Sequence, residues 1–479
     1  MDTRWWILIF CSIQTFTSDF FNEEPSVLVQ RLTGTAEPCT NGTDVCLNLD
    51  LNEFNWIFSG SNWAAALAAI CAGLIIDRYG SKLALLCSAG LLFFGTLIFV
   101  LATYSADTTT AFAVLMVGRL MVGLGAGSGT VITHRMKAGW FLYRELALAF
   151  SIQIFLGRLG SATSFLLIGS VVDRLGLRTC LWLGFVANLF AAGSNVALVY
   201  LDQRGSAMAS TAPTSGNFST IWRFIRQLDG TFWCVVLTVL LYYGTTLTFV
   251  ANGPNFLAMR YGFSETRASI VTGFIYDIGL LAPLSGWLTD RFGYRQYWIA
   301  GTSGFLFIGF LLLYLIPQAP PGIFVLLIGI GYTSYGPTVW SSIPLIVPPD
   351  AVGLATGIGK FLQFVGTGAE TAGAGAILNM NDSRVRVPWD IFSIYLICMA
   401  ALCCLACALV VFLNHKGDQR LTPSQKDRDR GNGLQEITPL KVDFGVGLNG
   451  ADKSTAGMPV SRLPEEISEV LTESSRSKV

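Results

Sequence analysis

Charged residues are scarce in this 479-residue sequence, and histidine is almost missing. Only 13% of the residues are charged, whereas soluble globular proteins carry about 25%. With only two histidines, His134 and His415, we expect no histidine-rich metal site or proton relay. The 31 basic residues balance 31 acidic ones, so the basic excess of a nucleic-acid-binding protein is also lacking. The composition therefore argues against a soluble chain with several polar-surfaced domains.

Motifs for nucleotide or metal chemistry are lacking as well. No phosphate-binding loop ending in Gly-Lys-Ser/Thr occurs, which argues against direct use of ATP. No nucleophile, base and orienting acid stand at an informative spacing, and no cysteine spacing resembles a zinc site. We therefore expect no enzyme, no metal centre and no cofactor.

Long apolar segments dominate the sequence instead. Hydrophobic residues make up 52% of it and form runs of about twenty, the length that crosses a bilayer as a helix. Many of the 50 glycines lie inside these runs, where small residues allow close helix packing. We predict an all-α membrane protein with twelve spans, near residues 5–24, 55–76, 83–102, 110–133, 146–170, 179–201, 232–257, 268–288, 297–316, 322–347, 352–379 and 390–413.

Polar stretches divide these spans into two equal groups. We predict an N-terminal six-helix bundle over 1–201, a cytosolic linker over 202–230, a C-terminal bundle over 231–413 and a disordered cytosolic tail over 414–479. Basic residues in the short loops favour a cytosolic N-terminus, eleven on that side against seven on the other.

The non-cytosolic loops contain two sequons for glycosylation, at Asn41 and Asn381. Cys39 and Cys46 flank the first sequon. They either form a disulfide in an oxidising lumen or remain free thiols.

A short motif occurs twice, 213 residues apart, between spans two and three and between spans eight and nine. It reads Gly, three residues, Asp-Arg, any residue, Gly, any residue, and a basic residue. Its fixed positions are Gly73, Asp77, Arg78 and Gly80 in the first copy, and Gly286, Asp290, Arg291 and Gly293 in the second. Such a repeat is typical of secondary transporters. We predict a gate whose aspartate pairs across the interface in one conformation; a plain turn with solvated charges is the alternative.

The duplicated motif resembles the signature loop of the major facilitator superfamily over roughly residues 5–413. That resemblance implies two six-helix pseudo-repeat bundles, a central cavity and alternating access. Within the superfamily, the segments 140–161, 118–125 and 200–204 are similar to the lysosomal dipeptide transporter family of animals. The similarity implies that an arginine of the fifth span, here Arg158, faces the cavity and helps to hold the peptide.

The same family uses a glutamate in the fourth span, but the matching position here is Gly127. Either another carboxylate takes that role, or the substrate differs. The similarity also implies a lysosomal or vacuolar membrane and a glycosylated accessory subunit. This chain has luminal sequons of its own and lacks the family's N-terminal extension, so the plasma membrane is the alternative location.

Ionisable side chains inside spans are costly and usually face a cavity or a partner. Arg158 is predicted to bind a substrate carboxylate; a structural ion pair is the alternative. Asp277, or an acid of the first helix such as Asp19, would bind an amine or carry a proton. Glu23 and Glu24 precede Pro25 near the luminal end, and we interpret them as solvated charges, with a place in the cavity as the alternative. Arg119 has a gating or structural role, or contacts the ligand. The substrate-binding candidates are Arg158, Asp277, Lys360, Glu370, Tyr242, Tyr243 and Trp340, where the aromatic residues either shape the cavity or simply pack.

Three functions fit these residues. The first is alternating-access transport of dipeptides or amino acids, by uniport or coupled to protons, out of a lysosome-like compartment. The second is proton-coupled transport of an organic anion such as a monocarboxylate. The third, from another class, is a receptor or scaffold of the same fold that transports nothing.

Overall fold

The computed structural model describes residues 3–42, 44–105, 107–141, 146–205, 228–347, 352–380, 387–417 and 419–424. These residues form helices joined by short connections. In chain order the helices are α1 Thr3–Val27, α2 Val29–Leu32, α3 Glu37–Thr40, α4 Leu51–Leu101, α5 Thr108–Phe141, α6 Leu146–Gly205, α7 Gly230–Tyr261, α8 Glu265–Gly279, α9 Ala282–Phe292, α10 Arg295–Leu315, α11 Pro321–Ile346, α12 Val352–Leu378 and α13 Val387–Lys416.

Two helices are long enough to cross a bilayer twice. α4 has 51 residues and α6 has 60, whereas one crossing needs about 20. Each is kinked at one glycine with a positive φ, 84° at Gly80 and 73° at Gly176. Glycine adopts this conformation without the steric cost that a side chain brings. The loops that we predicted at these places are therefore kinks, and α4 and α6 each supply two spans.

One predicted span is broken. Residues 268–288 were expected to form a single helix, but α8 ends at Gly279 and α9 begins at Ala282, with a bend of 41° between them. Pro283 is in the first turn of α9, where its missing N–H costs no helical hydrogen bond. With this pair counted as one span, six spans precede residue 206 and six follow residue 227.

By length and apolarity alone, seven helices of the described chain can cross a membrane, or eight with the bent pair. One of the seven is the 51-residue stretch from Ile152 to Asp202, which contains the kink at Gly176 and forms two spans. α1 and α12 fall outside this apolar set, and they carry the ionisable residues described below. The architecture is that of a multi-pass, all-α membrane protein.

Close packing of α4 against α5 explains the glycines of the fourth span. A Cβ atom added to Gly118 would lie 2.6 Å from the backbone nitrogen of Phe99. One added to Gly123 would lie 2.3 Å from the carbonyl oxygen of Ser61. Real Cβ atoms do not approach backbone this closely, so the two helices touch through their backbones.

Several predictions lie outside the described residues. They concern most of the linker, at 206–227, the tail beyond 424, and the sequon at Asn381. The side chains of the first motif copy from Gly73 to Arg78 are likewise outside the description, although their backbone belongs to α4.

Candidate functional site

Arg158 lies at the interface of the two halves. It belongs to the first segment of α6, and its guanidinium donates a hydrogen bond to the hydroxyl of Tyr332 on α11. The guanidinium carbon lies 4.3 Å from the ring centre of Tyr332 and 5.8 Å from that of Tyr276 on α8. Tyr243 on α7 lies within the electrostatic influence of Arg158 and accepts a hydrogen bond of 3.1 Å from the indole nitrogen of Trp340. An arginine of the N-terminal half thus lies among aromatic rings of the C-terminal half.

Asp19 on α1 is the carboxylate that shares this region. A Cβ atom on Gly157, the residue before Arg158, would lie 2.5 Å from Asp19 Oδ2, so glycine leaves room for the carboxylate. The positive charges of Arg158 and Lys360 both act on Asp19. Among the described residues, however, none of the three has an ion-pair partner within 4.0 Å. The charges face one another without closing a salt bridge.

Lys360 on α12 is the second cation of the site. Its Nζ lies 4.2 Å above the ring centre of Trp340 and donates a hydrogen bond of 3.1 Å to Gln363 Oε1 on the same helix. Because Trp340 also bonds with Tyr243, the two aromatic residues separate Lys360 from Arg158. The structure thus brings together four of the predicted residues, Arg158, Lys360, Tyr243 and Trp340.

A second buried charge cluster lies beside this site on α1 and α5. Arg119 is fully buried, donates to the carbonyl oxygen of Asn22 at 2.7 Å and stacks over the rings of Phe21, Phe58 and Phe99. The charges of Glu23 and Glu24 act on it, and both acids are buried, so the interpretation of them as solvated charges is wrong. Its surroundings match the structural alternative for this residue, because the helix α1 backbone takes its hydrogen bond.

Glu23 connects that cluster to the central site. Its carboxylate accepts a hydrogen bond of 2.9 Å from the hydroxyl of Tyr276, whose ring lies beside Arg158. Since Glu23 is on α1 and Tyr276 on α8, this bond joins the two halves.

The structure also explains why Gly127 cannot be replaced by the glutamate of the similar family. A Cβ atom at this position would lie 2.5 Å from the carbonyl oxygen of Ala65 and 2.7 Å from its Cα. The backbone of α4 occupies the space that a longer side chain needs. Among the described residues, the carboxylate on which the charges of both Arg158 and Lys360 act is that of Asp19 on α1.

Three predicted site residues lie elsewhere. Tyr276 and Gly279 face Arg158, whereas Asp277 is exposed on another side of α8, as the 100° rotation per residue of a helix requires. Glu370 is buried inside the C-terminal half, where Thr245 donates to it at 3.0 Å. Tyr242 is buried as well and stacks on Tyr335, with ring centres 3.8 Å apart.

An ion cluster closes the interface at the end predicted to be non-cytosolic. Arg31, from the short helix α2, donates to Asp44 at 2.7 Å, to Asp173 at 3.2 Å and to Glu265 at 2.8 Å. We call these four residues the Arg31 latch. Burial lowers the pKa of Arg31, but the hydrogen bond to Glu265 and the three negative charges outweigh it, so the pKa is raised above its ordinary value. Only Glu265 belongs to the C-terminal half.

Two further hydrogen-bonding contacts reinforce the latch. Thr266 donates to Asp173 at 2.7 Å, and the side-chain amides of Asn55 and Asn252 exchange hydrogen bonds of 2.9 and 2.7 Å across the interface. From the sequence, Arg31 was predicted only to be a basic loop residue. No local pattern marks it, because its three partners are 13, 142 and 234 residues away along the chain.

The loop that contains the first sequon supplies Asp44 to the latch. In the structure Cys39 and Cys46 are joined by a disulfide, with their Cα atoms 5.7 Å apart, and Asn41 is exposed. Asp44 lies inside this closed loop and also accepts the backbone N–H of Leu177 at 3.0 Å, just after the kink of α6. The loop thereby presents Asp44 to Arg31.

The two motif copies share a backbone feature. Gly293 has a φ of 71°, and Gly80 at the equivalent place has 84°. In the second copy Asp290 pairs with Arg295 of the same motif, and the guanidinium of Arg291 lies 5.1 Å from the ring centre of Trp287. The predicted pairing of the motif aspartate across the interface stays a prediction.

Comparison with known proteins decides the family. A sequence model described as Major Facilitator Superfamily matches residues 6–369. The chain belongs to the major facilitator superfamily. It is 24% identical over 408 residues to the lysosomal dipeptide transporter MFSD1 of Danio rerio, a match that covers 83% of this chain and 84% of that protein. Membership makes this chain a membrane transporter and not an enzyme, and the predicted similarity to the dipeptide transporter family is confirmed.

Solved structures show the same fold. A crystal structure of the peptide transporter POT with sulfate superposes with a TM-score of 0.66 at 12% identity, covering 87% of this chain and 96% of the other. That of a D-xylose–proton symporter gives 0.67 at 16% identity, with coverage of 89% and 99%. At such identities the two superpositions establish the superfamily fold with its two six-helix bundles, and nothing about the substrate.

Proposed function

We propose that this transporter carries dipeptides or amino acids out of a lysosome-like compartment by alternating access. The observation that carries the proposal is that Arg158 and Asp19 face each other, two half-buried groups of opposite charge without an ion-pair partner in the described residues. A zwitterion supplies both missing partners. Its carboxylate matches the fork of a guanidinium, and its ammonium group matches a carboxylate.

The position of the site between the halves favours transport over simple binding. Arg158 and Asp19 belong to the N-terminal half, while Tyr243, Tyr276 and Tyr332 belong to the C-terminal half. A ligand held here contacts both halves, so its binding energy acts on their relative arrangement. The similar proteins from fish and mammals are lysosomal dipeptide transporters, which supports this substrate class and membrane.

The Arg31 latch fits the role of the non-cytosolic gate in this proposal. It holds the halves together at one end, and the substrate site is then closed to that side. Uptake from the lumen requires the bond between Arg31 and Glu265 to break. A buried pair of this kind forms in one state and is absent in the other, which gives two discrete arrangements.

A second candidate is an organic anion carrier, and the surplus of positive charge favours it. Arg158 and Lys360 both act on the single carboxylate of Asp19, so a small monocarboxylate is also attracted to the site.

The test uses purified protein in liposomes that are loaded with labelled Ala-Ala or lactate. Dipeptide counterflow that Arg158→Ala abolishes, with Arg178→Ala unchanged, supports the proposal. Arg178 is a matched control because its guanidinium also stacks on a tyrosine, 4.5 Å from the ring centre of Tyr104, away from the site. Flux of lactate without flux of dipeptides would replace the first function by the second.

A further inference from the structure

Lys360 is a cation that a simple zwitterion leaves unused. Its ammonium group contacts a ring and an amide oxygen, those of Trp340 and Gln363, and no carboxylate of the described residues lies within 4.0 Å of it. Placing an uncompensated ammonium group at membrane depth is energetically costly. Groups of this kind face substrate pathways, so Lys360 is available to an anionic part of the ligand.

Within the part of the chain that the structure describes, the surrounding charges leave Lys360 no carboxylate other than that of Asp19. Glu23 and Glu24 act on Arg119, and Glu23 is further held by Tyr276. Lys137 on α5 is a further basic side chain that interacts electrostatically with Lys360. Asp19 is the carboxylate that acts on Lys360, and it faces Arg158 as well. The central site therefore has more positive than negative charge.

The aromatic pair Tyr243–Trp340 lies between the two cations of the site, Arg158 and Lys360. The charge of Arg158 acts on Tyr243, Trp340 donates a hydrogen bond to Tyr243, and Lys360 lies over the ring of Trp340. A ligand whose main-chain carboxylate reaches Arg158 thus has a second cation beyond this aromatic pair.

We propose that Lys360 is a specificity-determining residue that binds a side-chain carboxylate, so that the transporter prefers acidic dipeptides to neutral and basic ones. The inference rests on the proposed function, because it assumes that Arg158 and Asp19 hold the peptide main chain. A hydrogen-bonded charge pair contributes about 1.5–3 kcal/mol, so the preference is about tenfold or more in affinity.

The experiment compares Ala-Glu with Ala-Gln, which has nearly the same shape and lacks the charge. Affinities are measured by ligand-induced thermal stabilisation of the wild type, Lys360→Gln, Lys360→Arg and the exposed control Lys416→Gln. We expect the wild type, Lys416→Gln and Lys360→Arg to prefer Ala-Glu. Lys360→Gln should lose the preference, with the affinity for Ala-Gln changed by less than about threefold.

Each other outcome has a definite meaning. Equal affinities of the wild type for the two peptides would overturn the role of Lys360 and leave the proposed function standing. If Lys360→Gln loses affinity for both peptides equally, Lys360 binds the main-chain carboxylate instead. That result would also overturn its role in specificity and leave the proposed function standing. Binding of no dipeptide at all would overturn the proposed function together with this inference. Melting of each variant without ligand shows that it is folded.

Discussion

Removing the guanidinium of Arg31 should open the non-cytosolic end of the transporter. Of its three ion pairs, only the one with Glu265 joins the halves, and both of these side chains are buried. Loss of one partner of a buried pair costs about 3–5 kcal/mol, because the other charge stays desolvated. Thr266 and the Asn55–Asn252 pair remain, so we take the lower figure. Arg31→Gln then raises the opening equilibrium roughly 150-fold.

Amide hydrogen exchange of the detergent-solubilised protein measures this opening. Exchange should accelerate in the segments 28–36 and 262–270 of Arg31→Gln, since opening exposes them to water. The matched control is Arg267→Gln. Arg267 lies near the latch but is exposed and stacks on Phe263, 4.2 Å from the ring centre. Glu265→Gln, which removes only the cross-interface charge, should accelerate exchange in the same two segments.

The reasoning would be refuted by a folded Arg31→Gln protein whose exchange in both segments equals that of the wild type. Acceleration spread evenly over all helices would also count against it, because it would report global destabilisation. Far-ultraviolet circular dichroism and the melting temperature separate this case from local opening.

Three further predictions follow from the contacts described. Gly127→Ala should destabilise the protein by about 1–3 kcal/mol, because the new methyl group meets the backbone of Ala65. Gly90→Ala is the control, since a Cβ atom there meets nothing within 4 Å and should not destabilise the protein. Equal melting temperatures of the two variants would contradict the packing of α4 on α5. Replacing both Cys39 and Cys46 by serine should lower the free energy of unfolding by about 2 kcal/mol and accelerate amide hydrogen exchange around Asp44. Unchanged amide exchange there would show that the disulfide does not position the loop. Asn41→Gln should remove one glycosidase-sensitive mass increment from the protein expressed in animal cells, and an unchanged glycosylation pattern would exclude this sequon.

The spans could be predicted from the sequence because each apolar run is as long as a bilayer is thick. The connections between the spans could not be predicted, because a turn between two spans and a kink within one helix have similar sequences. Gly80 was expected in a loop, yet one glycine with a positive φ suffices to redirect α4. The break before Ala282 has the same character, because a run of apolar residues continues through it.

The site was only partly accessible from the sequence. The cost of burying charge pointed to Arg158 and Lys360, and both lie at the interface. The acidic partner was not accessible, because the rotation of each helix about its axis decides which acid faces inward. Asp277 and Asp19 are equally conspicuous in sequence, but only Asp19 faces Arg158. The Arg31 latch depends on contacts between distant segments, which periodicity does not reveal.

The most direct test of the zwitterion site compares Ala-Ala with its analogue that lacks the amino group, in the wild type and in Asp19→Asn. If Asp19 binds the ammonium group, the wild type prefers Ala-Ala by about tenfold or more, and Asp19→Asn binds the two compounds alike. If Asp19→Asn still prefers Ala-Ala as strongly as the wild type does, another group holds the ammonium and the pairing of Asp19 with Arg158 around the substrate is wrong.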